Sequence, residues 1–281
     1  MDYKTIAVHL DAAARSSERL ELGFALADRY DAHLVGLFAM SAARLPSYVR
    51  PDTSAMLEAA QDRRRAEAAG EAAALFRTAA ARYGGTKTEW RASNADALRA
   101  VQLGARYSDL VVVGQRESDR DREGESGVAP EFIDELVLSC GRPVLIIPYA
   151  GRFRDAGKRV LVAWNASAEA ARAVADALPL LARADSVEVI VFEGGPQGDH
   201  GEEPGADAAL YLARHGVKAT VSRYGIPHVD VGSQILTRAA DMSVDLIVMG
   251  AYGHSRLREL VLGGVTRTIL QSMTVPVLMS H

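Results

Sequence analysis

Asp245-Leu-Ile-Val-Met-Gly250 decides the fold of this chain, because it occurs twice: Asp109-Leu-Val-Val-Val-Gly114 is its earlier copy. In both, an acidic residue precedes four apolar ones and a glycine ends the run. A short apolar run that does not alternate, bounded in this way, reads as a strand buried on both faces. Two more pairs flank it in the same order. Lys158-Arg-Val-Leu-Val-Ala-Trp-Asn165 matches Lys4-Thr-Ile-Ala-Val-His-Leu-Asp11, and Val275-Pro-Val-Leu-Met279 matches Arg142-Pro-Val-Leu-Ile146. Three matches in one order indicate two copies of a single unit.

Between the matched strands the spacing is helical. Leu20, Phe24 and Ala27 share one face of the segment 15–30, and the stretch 53–83 is rich in Ala, Glu and Arg and ends at Gly84-Gly85. Each copy therefore reads β-α-β-α-β-α-β-α-β. Strands separated by helices form a parallel sheet covered on both faces, and right-handed crossovers make it doubly wound. The expected fold class is α/β, two tandem doubly wound five-stranded parallel sheets of Rossmann-like form with strand order 3-2-1-4-5. The domains are expected at residues 1–150 and 155–281, joined by the polar linker 151–157. In such an order a crevice opens at the C-terminal ends of strands 1 and 4. In the second copy Asn165 follows strand 1 and Gly250 ends strand 4.

The chain of 281 residues suits two domains, and its net charge of −4 argues against a general nucleic-acid binder. Cys140 is the single cysteine, so no internal disulfide can form, which fits a cytoplasmic location. We read it as a small packing residue. Met1-Asp-Tyr-Lys-Thr-Ile lacks the apolar core of a signal peptide, and no uninterrupted apolar run approaches the ~20 residues of a membrane span. No zinc spacing of Cys or His is present, and no metal site is expected.

The loop after the second Asp-to-Gly strand carries the chemistry. Gly253 follows Gly250, and nine residues later Gly263-Gly264-Val265-Thr266 opens a helix. Glycines let a ligand approach the backbone closely, and a helix N-terminus offers free N–H groups and a positive dipole end to phosphate. The pattern Gly, two residues, Gly, nine residues, Gly, then a small residue before Val-Thr resembles the loop of the universal stress protein family. The tandem arrangement also occurs in that family, and Tyr224-Gly-Ile-Pro227 resembles another of its features.

The resemblance implies an adenine nucleotide, ATP with or without Mg²⁺, in the second copy. Ala163 and Val191 would line the adenine, and Asn165 stands where ATP-binding members carry an acid near the nucleoside. Met249, Gly250 and Gly253 would wrap the ribose and α-phosphate side. Gly263, Gly264, Val265 and Thr266 would face the phosphates through backbone N–H groups, with a hydroxyl from Thr266. Three departures stand out: Asn165 for the acid, Gly264 for Ser or Thr, and Trp164 where small residues are common.

The first copy keeps Gly114, but Glu117 stands for the second glycine and Val128-Ala129-Pro130 for the Gly-Gly-Val run. Arg116, Glu117, Asp119 and Glu123 crowd its loop with charge, so no nucleotide is expected there. Because this twin lacks the motif, the glycines of the second copy read as serving a ligand rather than folding alone. Asp11, Ser16 and Ser167 read as helix caps, His9 as a packed core residue, and Arg63-Arg64-Arg65 as a solvated face. His254, Arg256 and Arg258 read either as phosphate contacts or as an exposed polar face.

The expected function is thus a cytoplasmic stress-response protein whose ATP binding acts as a regulatory switch. No Ser/His/Asp set is apparent and no general base can be named, so hydrolysis would at most be slow. The alternative is a structural or partner-binding stress protein with both sites empty. Its halves would then pair through the fifth strands, 143–147 and 276–279, as an internal pseudo-dimer. A protein partner, unnamed by the sequence, and a homodimer are compatible with both readings; a third option is an enzyme of the broader adenine-nucleotide hydrolase group, which no residue set demands. Neither nucleic acid nor membrane is an expected partner.

Overall fold

The structure is a computed structural model. It describes residues 2–13, 15–41, 51–85 (51–54 for the backbone only), 87–116, 127–192, 205–225, 230–253 and 264–281. The chain divides into two compact units, Lys4–Cys140 and Gly141–His281, the latter with the residues before Lys4.

The first unit contains β1 (Thr5–Leu10), α1 (Ser16–Tyr30), β2 (His33–Ala39), α2 (Pro51–Arg82), β3 (Thr88–Ser93), α3 (Ala97–Ala105), β4 (Leu110–Gly114) and α4 (Phe132–Ser139). Its strands lie in the order β3-β2-β1-β4, all pairs parallel. β1, β2 and β4 are almost wholly buried, as their largely apolar sequence requires, whereas β3 is half exposed at the edge. Arg91 and Glu89 pair on that edge, a charged surface that discourages strand addition. The long helix α2 starts at a proline, where no intrahelical N–H is lost.

The second unit contains β5 (Val144–Ile147), β6 (Arg159–Ala163), α5 (Ala168–Leu181), β7 (Ser186–Phe192), α6 (Ala206–Arg214), β8 (Ala219–Tyr224), α7 (Val231–Asp241), β9 (Leu246–Gly250), α8 (Gly264–Ser272) and β10 (Val277–Ser280). From β8 inwards the order is β8-β7-β6-β9-β10, which is 3-2-1-4-5 in the numbering of the repeat. One detail departs from the expectation of two purely parallel sheets. β5, the fifth strand of the first repeat, groups with the second unit and runs antiparallel to β10, with Val277 opposite Ile146 and Met279 opposite Val144. β5 is four apolar residues and β10 three followed by Ser280, all of them buried. Pairing them satisfies a row of backbone groups that would otherwise be an open edge.

The residue that opens the repeated motif has a structural task. Asp245 Oδ1 accepts from the N–H groups of Gly157 (2.9 Å), Lys158 (3.0 Å) and Arg159 (3.1 Å). Asp109 does the same in the first unit, accepting at Oδ2 from Lys4 (2.7 Å) and Thr5 (2.9 Å). Each carboxylate ties the start of the fourth strand of its repeat to the start of the first, where no hairpin could set the register. Among the described residues no helix is long and apolar enough to cross a membrane.

Charged hydrogen bonds to backbone N–H groups contribute more than neutral ones. Asp245→Ala is therefore expected to lower unfolding stability by about 2 kcal/mol, read from urea denaturation, while Asp245→Glu should recover only part of it.

Candidate functional site

β6 and β9 lie side by side in the second unit, with Ala163 opposite Met249. β6 leads on to α5 and β9 to α8, and β7 flanks β6 on the other side. This is the switch point at which a doubly wound sheet opens a crevice. Met249 is buried, Ala163 and Trp164 are half-buried, and Asn165 is exposed at the rim. Val191 is buried in β7, its side chain packed where a Cβ at Gly205 would stand.

The turns on the two sides of the crevice have unusual backbone. Ala166 (φ 56) follows β6 and Tyr252 (φ 58) follows β9, both left-handed without being glycine. Such residues cost about 1 kcal/mol or more and concentrate at functional turns. The first is held by Asn165, whose Oδ1 accepts from Ser167 N–H at 3.2 Å. Ser167 in turn caps α5, its Oγ accepting from Ala170 N–H at 3.1 Å, as its place in the sequence suggests. The second turn is held by Thr266, whose Oγ1 accepts from Tyr252 N–H at 3.4 Å. Thr266 is buried in the first turn of α8, so the turn after β9 lies against the N-terminal end of that helix.

Gly250 and Gly253 differ in their reasons. A Cβ on Gly250 would lie 2.5 Å from both Ala170 N and Glu169 C, backbone atoms that cannot give way. Gly250 is therefore demanded by the packing of β9 against the first turn of α5. At this one position that weighs against reading the glycines as serving a ligand rather than folding alone. Among the described residues a Cβ on Gly253 would meet only the Glu169 carboxyl group, with Oε2 at 3.3 Å and Cδ at 3.8 Å. Among the described residues a Cβ on Gly264 would meet nothing within 4 Å, and Gly264 is exposed beside half-buried Val265. Gly263, His254, Arg256 and Arg258 lie outside the described residues, as do Pro227 and the first-copy residues Glu117, Asp119 and Glu123.

In the first unit the equivalent position is filled from within. Arg19 is buried and donates from Nη1 to Asp11 Oδ2 (3.1 Å), from Nη2 to Asp11 Oδ1, and from Nη2 to Ser16 Oγ (2.7 Å). A Cβ on Gly114 would sit 3.2 Å from Arg19 Cδ. The guanidinium thus spans the ends of β1 and β4. Asp11 and Ser16 are corrected accordingly: the N-cap of α1 is Arg15, and neither side chain caps the helix. Eight residues after Asp11 stands Arg19, and eight after Asn165 stands Ala173; that comparison of the repeats was the signal for this plug. The run Arg63–Arg65 needs a similar correction, because Arg65 donates to the carbonyls of Met40 (3.0 Å) and Asn94 (3.2 Å) at the ends of β2 and β3.

Charge in this cluster is tightly coupled. Burial pushes the Asp11 carboxyl up, but the Arg19 charge and its hydrogen bonds outweigh this and hold it below the usual carboxylate range. Burial lowers the His9 imidazole, which bonds Ala39 O at 3.0 Å. Asp11 therefore contributes stability above the ordinary carboxylate pKa of about 4 and loses it as pH falls through its lower folded value. His9 acts in the same direction: below about pH 6.5 the unfolded chain takes up its proton first, so acidification favours unfolding.

With the geometry in view, the class of protein is defined: a doubly wound α/β fold with Gly250 and Gly253 at the strand switch point of its second unit. A profile described as "Universal stress protein family" matches residues 157–281. A universal stress protein of Synechocystis is 29% identical over 60% of this chain and 57% of its own length. One of Methanocaldococcus jannaschii is 41% identical over 19% of this chain and 31% of its own. The matched stretches thus span little more than half and under a third of those relatives. The crystal structure of a universal stress protein from Archaeoglobus fulgidus shares the fold over 98% of this chain and 95% of its own, with TM-score 0.72 at 16% identity. Residues 157–281, most of the second unit, are thus similar to the universal stress protein family.

Two outcomes follow. Arg19→Met strands a buried carboxylate and is expected to cost about 3–5 kcal/mol at pH 7; in denaturant titrations the deficit should shrink below about pH 4, as Asp11 becomes neutral. Gly250→Ala is expected to cost about 1–3 kcal/mol by overpacking. Gly253→Ala, which meets only a flexible side-chain end, should stay within about 0.5 kcal/mol of the parent protein in the same assay.

Proposed function

We propose that this chain is a cytoplasmic stress-response protein that binds an adenine nucleotide, ATP with or without Mg²⁺, in its second domain. The domains we assign are residues 1–150 and 155–281, the first a universal-stress-type domain that takes no nucleotide. One observation carries the reading: the Tyr252–Thr266 hydrogen bond joins the turn at the crevice to the first turn of α8. A nucleoside against Ala163, Asn165, Val191 and Met249 would then have its phosphates at Gly264, Val265 and Thr266, where N–H groups and the helix dipole favour negative charge. Gly263 belongs to the same set by its place in the motif. The exposed, unobstructed backbone at Gly264 supports this role.

Binding acts as a switch in this reading. A ligand that prefers one arrangement of the loop shifts the population toward it and stabilises the fold by mass action. No group is assigned to hydrolysis. A second reading is favoured by the packing requirement at Gly250 and by the engagement of Thr266 within the fold. In it the loop is a structural turn and the protein acts through a partner, with both sites empty.

A thermal melt separates them. At ATP about 100-fold above Kd the expected stabilisation is about 2.7 kcal/mol, a rise of several degrees. Gly264→Ser restores a hydroxyl at the helix N-terminus and is expected to tighten ATP about tenfold, since hydrogen bonds to charged groups are the stronger kind. No shift at millimolar ATP in either protein would leave the partner-binding reading.

A further inference from the structure

Glu169 is the unexplained group at the crevice. It occupies the first turn of α5, one helical turn after Asn165. Its Oε2 is buried, yet no hydrogen-bond donor meets it among the described residues. It stands 3.3 Å from the place a Cβ of Gly253 would take, and its backbone carbon is one of the two atoms that exclude a side chain at Gly250. The structure thus sets a carboxylate oxygen against the glycine turn that follows β9, and no donor among the described residues satisfies it. A buried acceptor left unpaired is costly, so such an atom marks either strain or a missing donor.

From this geometry we infer that Glu169 accepts hydrogen bonds from the vicinal hydroxyls of a ribose and thereby selects ribonucleosides. The inference rests on the nucleotide reading above and adds to it the part of the ligand that faces α5. The chemistry of the donor is constrained from two sides. A carboxylate repels phosphate, so the phosphates lie away from Glu169, toward α8, and the uncharged sugar lies beside it. The sugar offers O–H donors on adjacent carbons, and one carboxylate can accept from both. Asn165 cannot take this task with its carbonyl, because Oδ1 is already committed to the Ser167 N–H. Any side chain at Gly253 would stand against the Glu169 carboxylate.

The test is calorimetric titration of the full chain with ATP and with 2′,3′-dideoxy-ATP, repeated for Glu169→Ala and Glu169→Gln after melting curves confirm that both fold. The parent protein is expected to bind the dideoxy analogue about 10- to 100-fold more weakly than ATP, the range for hydrogen bonds to a charged group. Glu169→Ala should bind ATP as weakly as the parent binds the analogue and should no longer distinguish the two, with Glu169→Gln between. Equal binding of both ligands by the parent, or an unchanged preference in Glu169→Ala, overturns the inference and leaves nucleotide binding standing. Tighter binding of both ligands by Glu169→Ala also overturns it, since the carboxylate would then act only against phosphate. Failure of the parent to bind ATP at all removes the nucleotide reading and this inference with it.

Discussion

A carboxylate at the start of the fourth strand of each repeat is the constraint on which the rest depends. Parallel strands have no hairpin to set their register, and a shift by one residue would turn every side chain to the other face. Asp245 gathers the N–H groups of Gly157, Lys158 and Arg159, and Asp109 those of Lys4 and Thr5. With β6 and β9 aligned at their N-terminal ends, Ala163 and Met249 come level at the other end. The crevice therefore owes its shape to residues a full strand length away from it.

The same frame is used in two ways. In the first unit the ends of β1 and β4 are closed by Arg19, with Asp11 and Ser16 as its partners. In the second unit the acid is an amide, the arginine is Ala173, and the helix presses so close to Gly250 that no Cβ fits. A buried ion pair adds little net stability but cannot be broken on one side without a large penalty. The first unit is thus committed to a closed end, and a ligand there would have to displace a paired guanidinium. Among the described residues the second unit carries no such plug, and the strained turns at Ala166 and Tyr252 border its switch point instead.

Much of the architecture was legible in the residues. Apolar runs ending at Gly114 and Gly250 became strands ending at those glycines, and Ser167 became the cap its type suggested. The roles of Asp11, Ser16 and Arg65 were not legible, since the first two depend on how the Arg19 side chain folds back over the end of β1 and the third on carbonyls at the ends of two other strands. Glu169 was passed over for the same reason. Its neighbours in the chain are alanines, and only the approach of the β9 turn gives its carboxylate a setting.

The sequence by itself determined the repeat, the alternation of strand and helix, and the place of the glycine loop after the fourth strand. Those follow from patterns within a few residues, because burial on two faces and helix termination leave local signatures. Tertiary structure alone decided that β5 runs antiparallel to β10, that Gly250 is a packing necessity, and that one repeat closes its crevice with an arginine while the other holds an unsatisfied carboxylate there. Each of these depends on the distance between atoms brought together by the crossovers, and residue order does not encode that distance locally.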